Sequence, residues 1–187
     1  FAVRPGAGLP AARRAGRLWH SRPAVPGEAA TGLRCVVFSR YRQGEKLWPQ
    51  SHWRELLQLV AAAGYRVWLP WGNVSERERA GRIAAGIEAA SVLPRLNLRE
   101  LADRLLRVQA VVAVDTGLGH LGAALDVPAV SLYGPTSTRL VGAYGRHQVH
   151  LQSSPGAGRG GAPHTMMASI SAAEVWAELR TILPGDH

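Results

Sequence analysis

One pattern limits the possible folds more than any other. From residue 34 onward, short and continuously apolar runs are each followed by a longer stretch in which apolar residues recur every three to four positions. The runs are 34–39, 65–70, 110–114 (AVVAV) and 129–133 (AVSLY). A strand with one wet face alternates apolar and polar side chains, whereas unbroken apolar runs belong to strands covered by helices on both faces of a parallel sheet. Between the runs, 52–63 puts Trp53, Leu56, Leu57 and Val60 on one helical face, and Gly64 follows as a stop signal. Ser75 with Glu78, Asn97 with Glu100 and Ser171 with Glu174 have the capping-box spacing of helix starts. A further helix is predicted over 117–125. The pattern predicts an α/β fold, a Rossmann-like parallel sheet with helices on both faces.

Residues 1–32 break the pattern. They are rich in Pro, Gly, Ala and Arg and have neither a period of two nor one of 3.6. They are expected to be irregular, linker-like or disordered, leaving one domain over 33–187. The chain opens at Phe1 with neither an initiator Met nor a secretory signal, and is expected to be a fragment. Its only cysteine, Cys35, lies in an apolar run and is expected to be a core thiol. No apolar run approaches the roughly 20 residues of a membrane-spanning helix.

A formal charge of +9 calls for an anionic partner: nucleic acid, an anionic membrane surface or a phosphorylated substrate. The charge is nearly all arginine, spread along the chain, with no compact basic run and no ladder of aromatics to stack bases. Nucleic acid is therefore not expected as a partner. The spacing of His, Cys, Asp and Glu suggests no metal site.

Open parallel sheets bind ligands where strands end and helices begin. After the run ending at Val114 comes Asp115-Thr116-Gly117-Leu118-Gly119-His120. Gly117 and Gly119 permit close approach of backbone to ligand, the unpaired amides of the following helix suit a phosphate, and the Thr116 hydroxyl and His120 add donors. Asp115 could equally be a plain N-cap and His120 a structural side chain. Taken alone, these residues leave both readings open.

The string VVAVDTGLGHLGAALDVPAVSLYGPTSTRLVGAYG at 111–145 resembles the signature of bacterial lipopolysaccharide heptosyltransferases, and GEKLWPQSHWRELL at 44–57 and LPWGNVSERERA at 69–80 resemble two further family segments in the same order. The resemblance covers about two-thirds of the chain. The LPWG and DTGLGH spellings are more similar to the enzyme that adds the first heptose to Kdo than to the one that adds the second. The resemblance implies the C-terminal half of a GT-B glycosyltransferase, binding ADP-heptose as donor substrate without a cofactor. Asp115, Thr116, Gly117 and His120 would surround the diphosphate. Lys46, in the Lys-x-Trp-Pro motif and the only lysine in the chain, would bring its ammonium to the phosphates. Glu76 would accept hydrogen bonds from the ribose; read by itself it is a first-turn acid that complements the helix dipole. Tyr133-Gly134-Pro135-Thr136 resembles a loop closing the same cleft. Trp48, Trp53 and Trp71 lie in the matched segments, with Trp53 expected in the core.

The chain departs from the family in two places. The hydroxyl residues usual before the lysine are replaced by Phe38-Ser39-Arg40-Tyr41-Arg42-Gln43-Gly44-Glu45, and nothing before about residue 34 matches. The acceptor domain, with the aspartate expected as general base and the contacts to Kdo-lipid A, would lie outside this chain. The resemblance further implies a cytoplasmic enzyme, peripheral on the inner membrane. A non-catalytic nucleotide-sugar-binding protein and an enzyme adding the second heptose are the alternative readings.

Overall fold

A computed structural model of the chain describes residues 35–39, 48–114, 117–134, 147–153 and 167–183. Among these are strands β1 (Cys35–Ser39), β2 (Arg66–Leu69), β3 (Ala90–Val92), β4 (Ala110–Val114), β5 (Ala129–Tyr133) and β6 (Gln148–Gln152). The helices are α1 (Gln50–Ala62), α2 (Val74–Ala84), α3 (Leu98–Leu105), α4 (Gly117–Ala124) and α5 (Ala172–Ile182). Every strand pairing is parallel, and the order is β3-β2-β1-β4-β5-β6. The chain thus builds outward from β1 in one direction, then returns to β4 and builds outward in the other. This is the doubly wound arrangement predicted from the apolar runs.

The two helical layers follow from the period of two in the strands. On β4, Ala110, Val112 and Val114 pack with Trp53, Leu56, Leu57 and Val60 of α1, Ala80 and Ile83 of α2, and Ala172, Val175 and Leu179 of α5. Val111 and Ala113 point the other way, into a second cluster with Leu105 of α3 and Leu118 of α4. No face of β4 is left for water, so each residue of the strand must be apolar. Burying a leucine such as Leu56 or Leu57, both fully inaccessible, contributes about 1.5 to 3 kcal/mol.

The helix ends show which local signals were decisive. Gly64, at φ +81°, ends α1. Its N–H donates to Ala61 O and the next N–H, of Tyr65, to Val60 O, at 2.9 and 3.2 Å, the paired bonds of a Schellman motif. Asn97 with Glu100 and Ser171 with Glu174 form the predicted reciprocal caps. The Ser75 cap does not form. Asn73 caps α2 instead, its side chain accepting from Glu76 N at 3.0 Å, while the Ser75 hydroxyl donates to Asn73 Oδ1 at 2.8 Å. An asparagine in extended backbone two residues upstream caps at least as well as serine and lengthens the helix.

Strands β3 and β6 are not announced by apolar runs, and both are sheet edges. An edge strand needs no continuous apolar sequence, because its outer side meets no further strand. β6 reads Gln-Val-His-Leu-Gln, and none of its residues is fully buried.

Candidate functional site

The strand order reverses between β1 and β4, the place where an open α/β sheet leaves a crevice at its carboxyl edge. Ser39 on β1 pairs with Ala113 on β4. The chain therefore leaves both strands side by side, toward 40–47 from β1 and toward 115–116 from β4. Of the expected ligands, Lys46, Asp115 and Thr116 lie in these two segments, outside the described residues. Gly117, His120 and Glu76 lie within them.

Gly117 is the first residue of α4 and is exposed; a Cβ built on it would meet nothing within 4 Å. His120 follows one turn later on the same helical side and is also exposed. Gly119 has a different role from the one expected. It is buried, and a Cβ there would stand 3.4 Å from Ala113 Cβ and 3.6 Å from Ser131 Oγ. It serves the close packing of α4 on the sheet, and Gly122 does the same against Val111. The open backbone at Gly117 thus begins a helix pressed tightly onto β4 and β5. The helix starts at the carboxyl edge of the sheet, where helix first-turn amides favour an anion.

Glu76 stands in the opposite helical layer, in the first turn of α2 beyond β2, with β1 between it and β4. Its Oε2 accepts from Gly72 N–H at 2.7 Å. The carboxylate is held at the helix start by its own backbone and is half-buried. The Trp71 Nε1 donates to Leu93 O at 2.6 Å, tying the exit of β2 to that of β3, and the Arg77 guanidinium lies 5.6 Å from its ring. Sequence reasoning assigned Trp71 no such bridge, since its acceptor is a backbone carbonyl and leaves no trace in residue type. Trp48 and Trp53 are core residues, each 2% exposed. Tyr133 and Gly134 are buried at the end of β5, with Tyr133 edge-on to His150 at 5.3 Å; Pro135 and Thr136 lie outside the described residues. Among the described residues, no group of three or more His, Cys, Asp and Glu is placed to hold a metal ion.

Comparison with known proteins gives this crevice a family. The model of "Glycosyltransferase family 9 (heptosyltransferase)" matches residues 33–159. Lipopolysaccharide heptosyltransferase 1 of Pseudomonas aeruginosa is 60% identical over 108 residues, 58% of this chain and 30% of the relative. The protein of the same name from Salmonella typhimurium is 43% identical over 160 residues, 86% of this chain and 46% of the relative. The chain thus matches less than half the length of these relatives. Among solved structures, the E. coli heptosyltransferase WaaC with ADP is 37% identical, with a TM-score of 0.71 over 80% of this chain and 44% of that one. WaaC with ADP-2-deoxy-2-fluoro heptose gives 36% identity and a TM-score of 0.67 over 79% of this chain and 42% of that one. The fold is that of one half of a GT-B glycosyltransferase, and the named relatives agree with the heptosyltransferase 1 spelling of the motifs. The chain belongs to glycosyltransferase family 9, the heptosyltransferases.

Proposed function

We propose that the chain is the donor-binding half of an enzyme that transfers heptose from ADP-heptose to Kdo of the lipopolysaccharide inner core. The observation that carries this reading is the start of α4. An exposed glycine opens a tightly packed helix at the point where strand order reverses, in a fold whose solved relative was obtained with ADP and with a fluorinated ADP-heptose. In this reading the helix amides and the Thr116 hydroxyl donate to the diphosphate, Asp115 stands beside it and orders the turn that presents them, Lys46 and His120 offset its charge without a metal or cofactor, and Glu76 accepts from the ribose hydroxyls.

The chemistry assigned to this half is stabilisation of the leaving group. As the bond from heptose to ADP breaks, negative charge grows on the diphosphate, and donors fixed in advance favour that state over the ground state. The acceptor hydroxyl and the base that deprotonates it are assigned to the remainder of the enzyme, the part of the relatives that this chain does not match. An acceptor in Kdo-lipid A places the reaction at the cytoplasmic face of the inner membrane, where a net charge of +9 suits an anionic leaflet.

Calorimetry with ADP and ADP-heptose on the 187-residue chain tests the reading. Binding is expected, weakened at least about tenfold by Lys46→Ala, which removes a cationic partner of the diphosphate, and by Asp115→Ala, which loosens the turn that presents the Thr116 hydroxyl and the helix amides. Equal affinity in the wild type and both variants would refute the site.

A further inference from the structure

The pairing of β2 with β3 is closed by a side chain. Strand register sets Leu69 opposite Val92, and the ladder runs one residue further, with Leu93 N–H donating to Leu69 O at 3.1 Å. In a continuing parallel ladder Leu93 O would accept the backbone N–H of residue 71. Here the indole Nε1 of that same residue, Trp71, donates to the oxygen, at 2.6 Å. The backbone can therefore leave the sheet at 71 while the end of the strand pair stays tied. Leu93 is buried, and the Arg77 guanidinium lies 5.6 Å from the Trp71 ring, so the indole is held at its N–H and over its face.

The two residues that follow hold Glu76 at both ends. Asn73 Oδ1 accepts from Glu76 N–H at 3.0 Å, and Gly72 N–H donates to Glu76 Oε2 at 2.7 Å. The backbone at 72 does not call for glycine, since its φ lies outside the left-handed region. The carboxylate does. Among the described residues, the only heavy atom that a Cβ on Gly72 would meet within 4 Å, beyond its chain neighbours, is Glu76 Oε2, at 3.2 Å. That is tighter than ordinary contact, so a side chain at 72 would push away the oxygen that the N–H of the same residue holds. Residues 71 and 72 thus act in series. The indole fixes where the turn leaves the sheet, and the bare glycine lets the carboxylate close onto that turn.

We infer that Trp71 and Gly72 are positioning residues for recognition of the donor's ribose, fixing the Glu76 carboxylate where it accepts from the sugar hydroxyls. This rests on the reading of Glu76 as the ribose ligand. A carboxylate that meets two neighbouring hydroxyls gains from being fixed before the ligand arrives, because a hydrogen bond weakens steeply away from its favoured angle and ordering the side chain on binding costs affinity. A phenylalanine at 71 would cover apolar surface but leave Leu93 O without the indole donor.

The test compares the affinities of ADP and 2′,3′-dideoxy-ADP for the 187-residue chain by calorimetry. The two ligands differ only in the ribose hydroxyls, so their affinity ratio reads that contact and nothing else in the site. The variants are Gly72→Ala, Trp71→Phe and Glu76→Ala, together with replacement of Trp71 by β-(3-benzothienyl)alanine, which keeps the ring shape and removes only the N–H. Unfolding midpoints establish that each protein is folded at the assay temperature. The wild type is expected to prefer ADP by at least about tenfold, as bonds to a charged acceptor allow, and Glu76→Ala to lose that preference. Gly72→Ala and both Trp71 replacements are expected to cut the ratio by about three- to tenfold, the worth of one hydrogen bond, while affinity for the dideoxy compound changes little. A purely structural role would lower stability or weaken both ligands alike and leave the ratio in place. If Glu76→Ala loses the preference while the changes at 71 and 72 keep it, the inference is overturned and the Glu76 reading stands. If ADP does not bind, if the wild type does not distinguish the two ligands, or if Glu76→Ala still does, both fall.

Discussion

Gly119 of α4 lies so close to Ala113 of β4 that a Cβ on the glycine would stand 3.4 Å from the alanine's Cβ. This contact seats α4 on the sheet and fixes where its first turn opens. Gly119→Ala adds a methyl at ordinary contact distance and gains up to about 1 kcal/mol of helix propensity, so it is expected to change stability little. Gly119→Val has no such room and is expected to cost about 1 to 3 kcal/mol. Urea unfolding of the two variants checks the contrast.

Gly117 is the opposite case. A Cβ there meets open space and its φ lies outside the left-handed region, so Gly117→Ala is expected to leave the unfolding midpoint unchanged or slightly raised. If the diphosphate occupies that space, the same methyl is expected to lower ADP affinity at least about tenfold, the effect of losing close backbone approach and one amide bond. Titration of ADP into a fully stable Gly117→Ala protein that binds like wild type would remove α4 from the site.

Arg54 of α1 acts on α2 from its far end. Its Nη1 donates to Arg82 O, Ile83 O and Ala85 O at 2.8, 3.0 and 3.0 Å. These carbonyls lie at the C-terminus of the helix that begins near Glu76, where a cation is favoured. Arg54→Ala is expected to destabilise by about 1 to 2 kcal/mol, the net value of charge-assisted bonds at a half-buried site. Arg54→Lys is expected to recover only part of this: one nitrogen makes all three contacts, but the lysine ammonium lies one bond nearer the backbone than Nη1 and falls short of the carbonyls. Denaturant midpoints of the three proteins report the order.

The cap of α5 makes part of the stability acid-sensitive through Glu174. Ser171 donates to its Oε2 from both hydroxyl and backbone N–H, each at 2.7 Å, and holds the carboxyl below its ordinary value of 4.5, the hydroxyl having the larger effect. Because the folded state favours the charged form, the gain is present above the ordinary value and lost as pH falls through the lower folded one. Ser171→Ala is expected to cost about 1 kcal/mol near neutral pH through loss of the cap, with the deficit narrowing once pH falls below 4.5. A deficit unchanged down to pH 3 in thermal melts would show that the carboxylate has no part in it.

Central strands could be read from residue type because tertiary burial leaves them little choice: β4 is apolar on both faces and β5 is so but for the buried Ser131, and their bounds coincide with the apolar runs. The buried face of α1 was legible for the same reason, with Trp53, Leu56, Leu57 and Val60 where the 3.6-residue period puts them. Edge strands escaped, since one free side relaxes the requirement. The cap of α2 went to Asn73 because two adequate caps lay within three residues and spacing does not rank them.

For the candidate site, sequence by itself supplied the residue types and motif order that carry the family: the glycines, acid and histidine of 115–120, the lone lysine, and Glu76 at the start of a helix. It also determined the parallel sheet, since hydrophobic periodicity is a local record of burial. Only the tertiary structure decided that Gly117 faces open space while Gly119 packs on Ala113, that Glu76 is braced by Gly72, and that the Trp48 indole ends on the carbonyl of Ile170. Those outcomes depend on distances between chain segments and on backbone atoms. Every residue carries the same backbone atoms, so residue type cannot encode them.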